Sequence, residues 1–472
     1  MAIYSSFGLL LAYGYGFLGR EGLFLYAKAR LALYGEPARL ENLGLVYPPT
    51  GLLLNLPGAI LGWPVAPVFL SALAGGITLT ALVYLWRHAQ VGRASAVLVA
   101  IVMALHPLSL QAFGTGSSTA WAAAWLLLAL LSLIKLLERR ISYYLMFCGL
   151  AMGAYTLSRF DGVLILLLFA PFVPFVFREY SFSGRWALLA VYLMLLSPAL
   201  FGLAGWVFLN WVFLGDGWAF LRDPQLYVRI PGVLEPGSTD LLVVRSSLLD
   251  AMWTGITWTA IGVPLFPLVV ARSGRLSGLL LASWLGYWIL AYFGAIRPAA
   301  EDLVLLLLLG SAAAFLPGRR PNRLWYGSLM IALVLTIPGS LHLLQRYGTA
   351  EARELWSGSP PPIWEQARAA AERLSKAQTI LLDDTEGFPI VACFPDLSRL
   401  LLPYRGYRFA EALAAPERHA EALVLPDPGY GNGRLDRLHR SFPDWQLEGI
   451  AGFHLEERIG PWYIFLRKGE AP

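Results

Sequence analysis

Long apolar segments alternate with short polar connections over the first 347 residues of the chain. A helix needs about 20 predominantly apolar residues to cross a bilayer. By this measure the sequence predicts about eleven membrane-spanning helices, near residues 3–18, 65–86, 94–112, 118–137, 141–157, 160–177, 185–213, 251–271, 276–295, 301–316 and 323–344. The first segment carries no basic region before it and no A-x-A cleavage site after it, so we expect it to be retained.

Basic residues recur in every second connection between these segments, in "WRHAQVGR", "KLLERR", "FREYSFSGR", "ARSGR" and "PGRRPNR". Cytoplasmic loops of membrane proteins carry an excess of Lys and Arg. The pattern therefore predicts a multi-pass protein of the cell membrane with a cytoplasmic N-terminus. The connection at 19–64 and everything after the last span are then extracytoplasmic.

The first outer connection, residues 19–64, holds Glu21 and the cations Arg20, Lys28 and Arg30. Its pattern predicts two helices that do not cross the membrane, the second beginning near Pro48 in "PPTGLLLNLPGAILGW". The first is expected to lie on the membrane surface, because one face repeats at helical spacing. That face comprises Leu23, Tyr26, Ala27, Arg30, Leu31 and Tyr34. Cations on an outer loop run against the charge bias, which indicates either a bound anion or side chains that snorkel to the interface.

A second domain is predicted after Tyr347, where the composition changes. "SGSPPP" at 357–362 has the composition of a stiff linker. "QTILLDD", "ALVLPDPGYGNG" and "WYIFLRK" then read as strands, while "IWEQARAAAERLSKA" and "EGFPIVACF" read as helices. This order favours a small α/β domain with a mainly parallel sheet over residues 348–472. Its "PGYGNG" does not open a helix after a strand, so we interpret it as a turn and not as a dinucleotide-binding loop.

The composition supports the same fold class: a polytopic α-helical membrane protein with a C-terminal extracytoplasmic α/β domain. The chain is 57% hydrophobic and 14% charged, with a mean hydropathy of +0.58. A net charge of +5 is explained by basic cytoplasmic loops and does not indicate a nucleic-acid partner. Cys148 and Cys393 have neither disulfide nor metal-site spacing, and no nucleotide-binding or hydrolase motif occurs.

Charged residues near the outer ends of the spans are the candidates for chemistry, because charges in or beside a membrane segment are costly. They are Glu21, Arg30, Arg159, Asp161, Asp216, Asp223, Arg297, Glu301 and Asp302. In "LSRFDG", Arg159 and Asp161 either form a mutual pair or serve a site. Asp216, in "NWVFLGDGW", is either functional or part of a solvated loop.

The order and sidedness of several stretches resemble the GT-C superfamily of integral membrane glycosyltransferases. The nearest branch is that of protein mannosyltransferases and aminoarabinose transferases, which use polyprenyl-phosphate-linked sugars. Glu21 opens the first outer connection and is followed nine positions later by Arg30 in "ARLALYG"; "YPPTGLLLNLPGAILG" then leads into a span that ends in "LWRH". "LSRFDG", "NWVFLGD" and "IRPAAED" are similar to later outer motifs. The C-terminal domain is similar to periplasmic domains of some members. The chain has Glu21 where the family usually has Asp, Gly22 where a second acid can follow, and Tyr47 where some relatives place a cation.

This resemblance implies transfer of a sugar from a polyprenyl-phosphate-linked donor, with inversion, to an extracytoplasmic protein, lipid or glycan. Glu21 would be the general base that takes the proton of the acceptor hydroxyl. Cations would stabilise charge on the departing phosphate. The resemblance assigns substrate binding to Lys28, Arg30, Tyr47, Arg159, Asp161, Asp216 and Arg297. A divalent metal is the one cofactor that such a reaction could use.

Two other classes of function remain open from the sequence. A non-catalytic membrane scaffold or subunit could be built on a degenerate fold of the same kind. A transporter is the second alternative, although transporters usually contain internal repeats and helices broken at the middle of the membrane. We find no repeat in this chain, and its charges gather at the outer ends of the spans.

Overall fold

The computed structural model describes the chain except for a set of short stretches and one longer segment. The residues outside the description are 40, 41, 43–46, 89, 90, 140, 160, 161, 163–169, 177–184, 220–247, 271–274, 293–298, 315–322, 431, 432, 434, 435 and 470–472. The candidate residues Asp161, Asp223 and Arg297 fall among them. Most of the predicted span at 160–177 does so too.

The first 347 residues are helical throughout the described part. The helices are α1 (Ala2–Tyr15), α2 (Arg20–Tyr34), α3 (Pro49–Ile60), α4 (Ala66–His88), α5 (Arg93–Leu105), α6 (Pro107–Gly114), α7 (Thr119–Arg139), α8 (Tyr143–Thr156), α9 (Val173–Val176), α10 (Arg185–Leu214), α11 (Leu248–Gly262), α12 (Leu265–Val270), α13 (Arg275–Tyr292), α14 (Leu303–Ala313) and α15 (Arg323–Tyr347).

Several of these helices are suited to a multi-pass membrane protein. Four in the described part, α4, α7, α10 and α15, are each long and apolar enough to cross a bilayer. Two bent pairs, α1 with α2 and α5 with α6, raise the number to six if each pair is one span. The other predicted crossings are shorter helices or lie largely outside the description. The total of eleven therefore stays a prediction.

Both bends have causes that are visible in the sequence. Gly16 ends α1 in the left-handed conformation (φ 64°), which glycine adopts without steric cost, and α2 leaves at 88° to α1. Pro107 cannot continue the hydrogen bonding of α5, so α6 begins there and leaves at 65°. The span predicted near 94–112 is thus bent at His106–Pro107, and it stays one crossing if α5 and α6 together form a broken span.

The C-terminal region contains short helices around a five-stranded sheet. Its helices are α16 (Ala350–Trp356), α17 (Ile363–Leu374), α18 (Asp384–Cys393), α19 (Tyr407–Ala414), α20 (Pro416–His419), α21 (Arg437–Ser441) and α22 (Trp445–Glu448). Its strands are β1 (Ile380–Leu382), β2 (Leu400–Leu401), β3 (Ala422–Pro426), β4 (Phe453–Ile459) and β5 (Trp462–Arg467). The strands predicted in "QTILLDD", "ALVLPDPGYGNG" and "WYIFLRK" and the helices predicted on either side of the first are confirmed.

The sheet is mixed, with the strand order β2-β1-β3-β5-β4. β1 pairs in parallel with β2 and β3, whereas β5 is antiparallel to both β3 and β4. The expectation of a mainly parallel sheet is therefore wrong. β4 and β5 form a hairpin joined at Gly460 and Pro461, and a hairpin necessarily adds an antiparallel edge.

The C-terminal region packs directly on α2, and the two share one hydrophobic core. Members of this core from α2 include Leu23, Phe24, Ala27 and Leu31, and members from the C-terminal region include Trp364, Phe388, Ile390, Val391 and Trp462. α2 is consequently buried on nearly all sides between this region and the neighbouring helices. The helix itself is confirmed, and its packing against the C-terminal region is an addition to the sequence prediction. That it lies on the membrane surface stays a prediction.

Candidate functional site

Glu21 lies in the first turn of α2, with its carboxylate directed at the turn that leads into α7. The Ser117 hydroxyl donates to Glu21 Oε2 over 2.7 Å, and the Ser118 hydroxyl donates to Glu21 Oε1. Two donors on two different oxygens fix both the position and the plane of the carboxylate. The Glu21 side chain remains half-buried, so it is oriented without being sealed off.

The close approach of α2 to this turn explains the glycine that follows Glu21. A Cβ on Gly22 would lie 3.0 Å from Pro67 Cβ and 3.2 Å from the Gly116 carbonyl oxygen. Gly116 itself adopts φ 87°. A side chain at position 22 would therefore require Pro67 or the Gly116 backbone to shift by a few tenths of an ångström, and glycine avoids this at the point where α2 meets the turn.

Arg159 reaches the same turn from the end of α8. Its Nη1 atom donates to Asp302 Oδ1 over 2.6 Å and to Thr119 Oγ1 over 3.3 Å. The hydroxyl of Tyr287 donates to the other oxygen of Asp302 over 2.9 Å. The side chains of Arg159 and Asp302 are only 15% and 11% exposed, so the charges are mostly removed from water but paired.

Glu21 and Arg159 are therefore brought together by three consecutive hydroxyl residues, Ser117, Ser118 and Thr119. Adjacent Cα atoms are about 3.8 Å apart. The carboxylate and the guanidinium thus lie well within two helix diameters of each other, about 20–24 Å. We call Glu21, Ser117, Ser118, Thr119, Arg159 and Asp302 the polar mouth.

The other cations of α2 are directed away from the polar mouth and hold the C-terminal region. The Lys28 ammonium pairs with the Asp384 carboxylate. Arg30 Nη1 donates to the carbonyl oxygens of Val391 and Ala392 over 3.1 and 2.9 Å. These carbonyls belong to the last turn of α18, where a cation is favoured by unsatisfied carbonyls and the helix dipole.

Arg20, the residue before Glu21, also binds the C-terminal region. Its guanidinium pairs with Glu386 and lies over the rings of Phe388 and Tyr430, at 5.6 and 4.8 Å from the two ring centres. Its backbone N–H donates to Glu351 Oε2 over 2.9 Å. Arg20 is 9% exposed, so this contact is almost completely closed to water.

Two further acids, Glu301 and Glu351, lie at the connection between α15 and the C-terminal region. Glu301 Oε1 accepts from the backbone N–H and the hydroxyl of Thr349, over 3.0 and 2.7 Å. Thr349 in turn caps α16, which carries Glu351. Burial raises the pKa of Glu351 to about 7, even though the Arg20 N–H bond and the Arg20 charge act in the opposite direction.

Tyr47 and Asp216, two candidates for substrate binding, make contacts that stabilise the local structure. Tyr47 is buried, and its ring meets Phe24 edge-on with 4.7 Å between ring centres. Asp216 Oδ1 accepts from the backbone N–H of Trp218 over 2.9 Å, a bond that stabilises the turn after α10. Substrate binding by Tyr47 and Asp216 stays a prediction, as it does for Asp161 and Arg297, which lie outside the described residues.

The sequence did not identify the partners of Glu21 and Arg20. Ser117 and Ser118 were visible as "GTGSS" in an outer turn, a cluster of hydroxyls that could have been associated with an outer carboxylate. Glu351 and Glu386 carry no such signal, because they are separated from α2 by more than 300 positions and read as ordinary helix acids.

The described residues offer no ready metal centre. No group of three or more His, Cys, Asp or Glu side chains among them has the geometry to hold a metal ion. The acids of the polar mouth are engaged instead with hydroxyls and a guanidinium. The candidate divalent metal therefore does not fit these residues, and no chemical step is derived through it.

Comparison with known proteins gives no family assignment. Neither a protein-family model nor a curated protein matches this chain.

Proposed function

We propose that the protein transfers a sugar from a polyprenyl-phosphate-linked donor to an extracytoplasmic acceptor hydroxyl, with Glu21 as the general base. The observation that carries the proposal is the convergence of Glu21 and Arg159 on Ser117, Ser118 and Thr119. A base must be held within hydrogen-bonding reach of the proton that it takes, and a cation must lie near the charge that develops on the leaving group.

The reaction proceeds as a direct displacement at the anomeric carbon of the donor sugar. The acceptor oxygen forms the new bond while the bond to the phosphate oxygen breaks, and the polyprenyl phosphate departs with the electron pair. Glu21 takes the acceptor proton on the face opposite the leaving group. Phosphate is a good leaving group, so a general acid is not required.

The cations available to the donor phosphate differ from those that the sequence suggested. Lys28 and Arg30 are directed toward α18 and its flanking residues, whereas Arg159, although paired with Asp302, reaches the same turn as Glu21. The glycine at position 22 also has a local reason: it lets α2 approach the 115–118 turn. The departure from the family pattern at this position is thus compatible with a placed Glu21.

A non-catalytic scaffold is the second candidate, favoured by one specific observation. Lys28 and Arg30 hold the C-terminal region to α2, which is what a subunit that presents this domain would need. A scaffold requires no oriented carboxylate at the polar mouth. The half-buried, doubly bonded Glu21 is the feature that favours the transferase over the scaffold.

The test is transfer of labelled sugar from polyprenyl phosphate by the full chain in purified membranes, with donor binding measured in parallel. Glu21→Gln keeps the shape of the side chain and removes the base, so transfer should fall about 10²–10⁴-fold while donor binding changes little. Glu36→Gln is the matched control, because Glu36 is an exposed acid of the same outer connection that pairs with Arg405.

Full transfer by Glu21→Gln would reject Glu21 as the base. An inactive wild-type protein that also fails to bind any polyprenyl-linked sugar would instead support the scaffold.

A further inference from the structure

Arg20 and Glu21 are neighbours in the first turn of α2, yet they bind opposite partners. Successive residues of an α-helix point about 100° apart, so adjacent side chains can reach different surfaces. Arg20 enters the C-terminal region and Glu21 meets the turn before α7. The start of α2 is therefore held from two sides, and a shift of Arg20 must displace Glu21.

The surroundings of Arg20 hold its guanidinium in one position. Glu386 is 1% exposed in its side chain, and the Trp462 indole N–H donates to the backbone carbonyl of Glu386 over 3.0 Å. Phe388 and Tyr430 flank the guanidinium of Arg20. A buried charge tolerates displacement poorly, because little water is at hand to replace its partner. Planar guanidinium groups add directionality to such pairs.

The Lys28–Asp384 pair provides an internal comparison. It joins the same helix to the same α18, two helical turns farther along α2. Its two side chains are each 16% exposed, whereas those of Arg20 and Glu386 are 11% and 1% exposed. It contributes to docking, but it lies away from the turn that holds Glu21.

We propose that Arg20 and Glu386 are positioning residues for Glu21, so that the C-terminal domain sets the geometry of the base in the membrane domain. Glu386 holds Arg20, Arg20 fixes the first turn of α2, and that turn places the Glu21 carboxylate against Ser117 and Ser118. The catalytic part of this inference rests on the proposed function. The geometric part does not.

The geometric part is tested by cross-linking in the full chain. Cysteines replace Glu21 and Ser118 in a Cys393→Ser background, and the rate of disulfide formation under mild oxidant reports how closely α2 is held to the turn. We expect Glu386→Ala to slow cross-linking about tenfold, because Arg20 loses the ion-pair partner that holds its guanidinium in one buried position. Asp384→Ala, the matched control, should change the rate less than about twofold, because Lys28 lies two helical turns from the turn that holds Glu21.

Two further variants keep the result interpretable. Glu386→Gln keeps the volume of the side chain and should show the same direction of effect if Glu386→Ala proves unstable. The exchange of Arg20→Glu with Glu386→Arg restores an ion pair in the same place and should recover part of the lost rate. Equal cross-linking in wild type and both Glu386 variants would overturn the proposal. An equal loss with Asp384→Ala would also overturn it, by showing general domain docking.

The catalytic part is tested by transfer kinetics on proteins that retain Glu21 and Ser118. Glu386→Ala should lower kcat about tenfold with little change in KM for the donor, because Glu386 touches neither substrate in this scheme. Arg20→Lys, which keeps the charge, should retain more activity than Arg20→Ala. Unchanged kcat in Glu386→Ala would reject the positioning role. Absence of transfer in the wild type would reject the proposed function and leave the cross-linking result to stand for the geometry.

Discussion

Glu21 and Arg159 meet the same turn through small hydroxyl side chains and not through each other. Ser117 and Ser118 bond the carboxylate, and Thr119 accepts from the guanidinium. The Glu21 carboxylate accepts from hydroxyls instead of pairing with this guanidinium, so it stays able to accept a proton. The guanidinium pairs with Asp302 and lies close enough to the carboxylate to meet an anion beside it.

Arg159 also contributes to stability through Asp302. Arg159→Ala leaves a mostly buried carboxylate with Tyr287 as its remaining hydrogen-bond donor among the contacts described above, and breaking such a pair costs about 3 kcal/mol. Denaturant unfolding of the detergent-solubilised protein should show that loss. Arg458→Ala is the control. It breaks an ion pair with Asp427 whose side chains are 53% and 26% exposed, and it should cost less than about 1 kcal/mol. Equal losses of unfolding free energy in the two variants would mean that the burial of the Arg159–Asp302 pair does not determine its contribution to stability.

α2 is the element that joins the two parts of the molecule. Its N-terminal turn meets Glu351, its middle pairs Lys28 with α18, and its C-terminal half places Arg30 on the carbonyls of Val391 and Ala392. The short helix α16 follows the last apolar helix and brings Glu351 to the start of α2. The first outer connection and the C-terminal region are therefore on the same side of the molecule.

Glu351 should make the stability of the contact between α2 and the C-terminal region depend on pH. Its pKa is raised by burial to about 7, from 4.5 for an exposed Glu. The folded protein keeps a proton that the unfolded chain releases, so the stability from this group is full below about pH 4.5 and lost as pH rises through about 7. Glu351→Gln keeps an oxygen for the Arg20 N–H and cannot ionise. It should raise the thermal unfolding temperature relative to wild type at pH 8 and change it little at pH 5.

Glu36→Gln serves as the control for that measurement, because the Glu36 side chain is 58% exposed. It should show no pH-dependent difference of this size. The same shift for Glu351→Gln at pH 5 and pH 8 would contradict the assignment of the titrating group.

The sequence was sufficient to predict the helices and strands around α2, but not the residues with which α2 forms ion pairs. Hydrophobic spacing predicted α2, Pro48 marked the start of α3, and the alternation after Tyr347 predicted β1, α18, β3 and β5. These features depend on neighbouring residues. The ion pairs of α2 with α18 depend on a fold that brings together residues more than 350 positions apart, and no periodicity encodes that.

At the scale of the whole molecule, polar side chains lie at both ends of α4 and α7. α4 and α7 begin near the polar mouth. At their other ends, His88 Nε2 lies 2.7 Å from Glu138 Oε2, and Lys135 lies over the ring of Tyr84. His88, Lys135 and Glu138 thus share the end of α4 and α7 that is remote from the C-terminal region. This arrangement supports the proposed orientation, in which the polar mouth is extracytoplasmic.

The most direct measurement is an experimental structure of the full protein in a lipid nanodisc with a short-chain polyprenyl phosphate. We expect the phosphate within about 3 Å of the Arg159 guanidinium. It should also lie less than one helix diameter, about 10–12 Å, from the Glu21 carboxylate. The lipid chain should leave sideways between helices toward the bilayer. A phosphate bound at the opposite end, beside His88 and Lys135, would contradict Glu21 as the base of a polyprenyl-phosphate-dependent transferase.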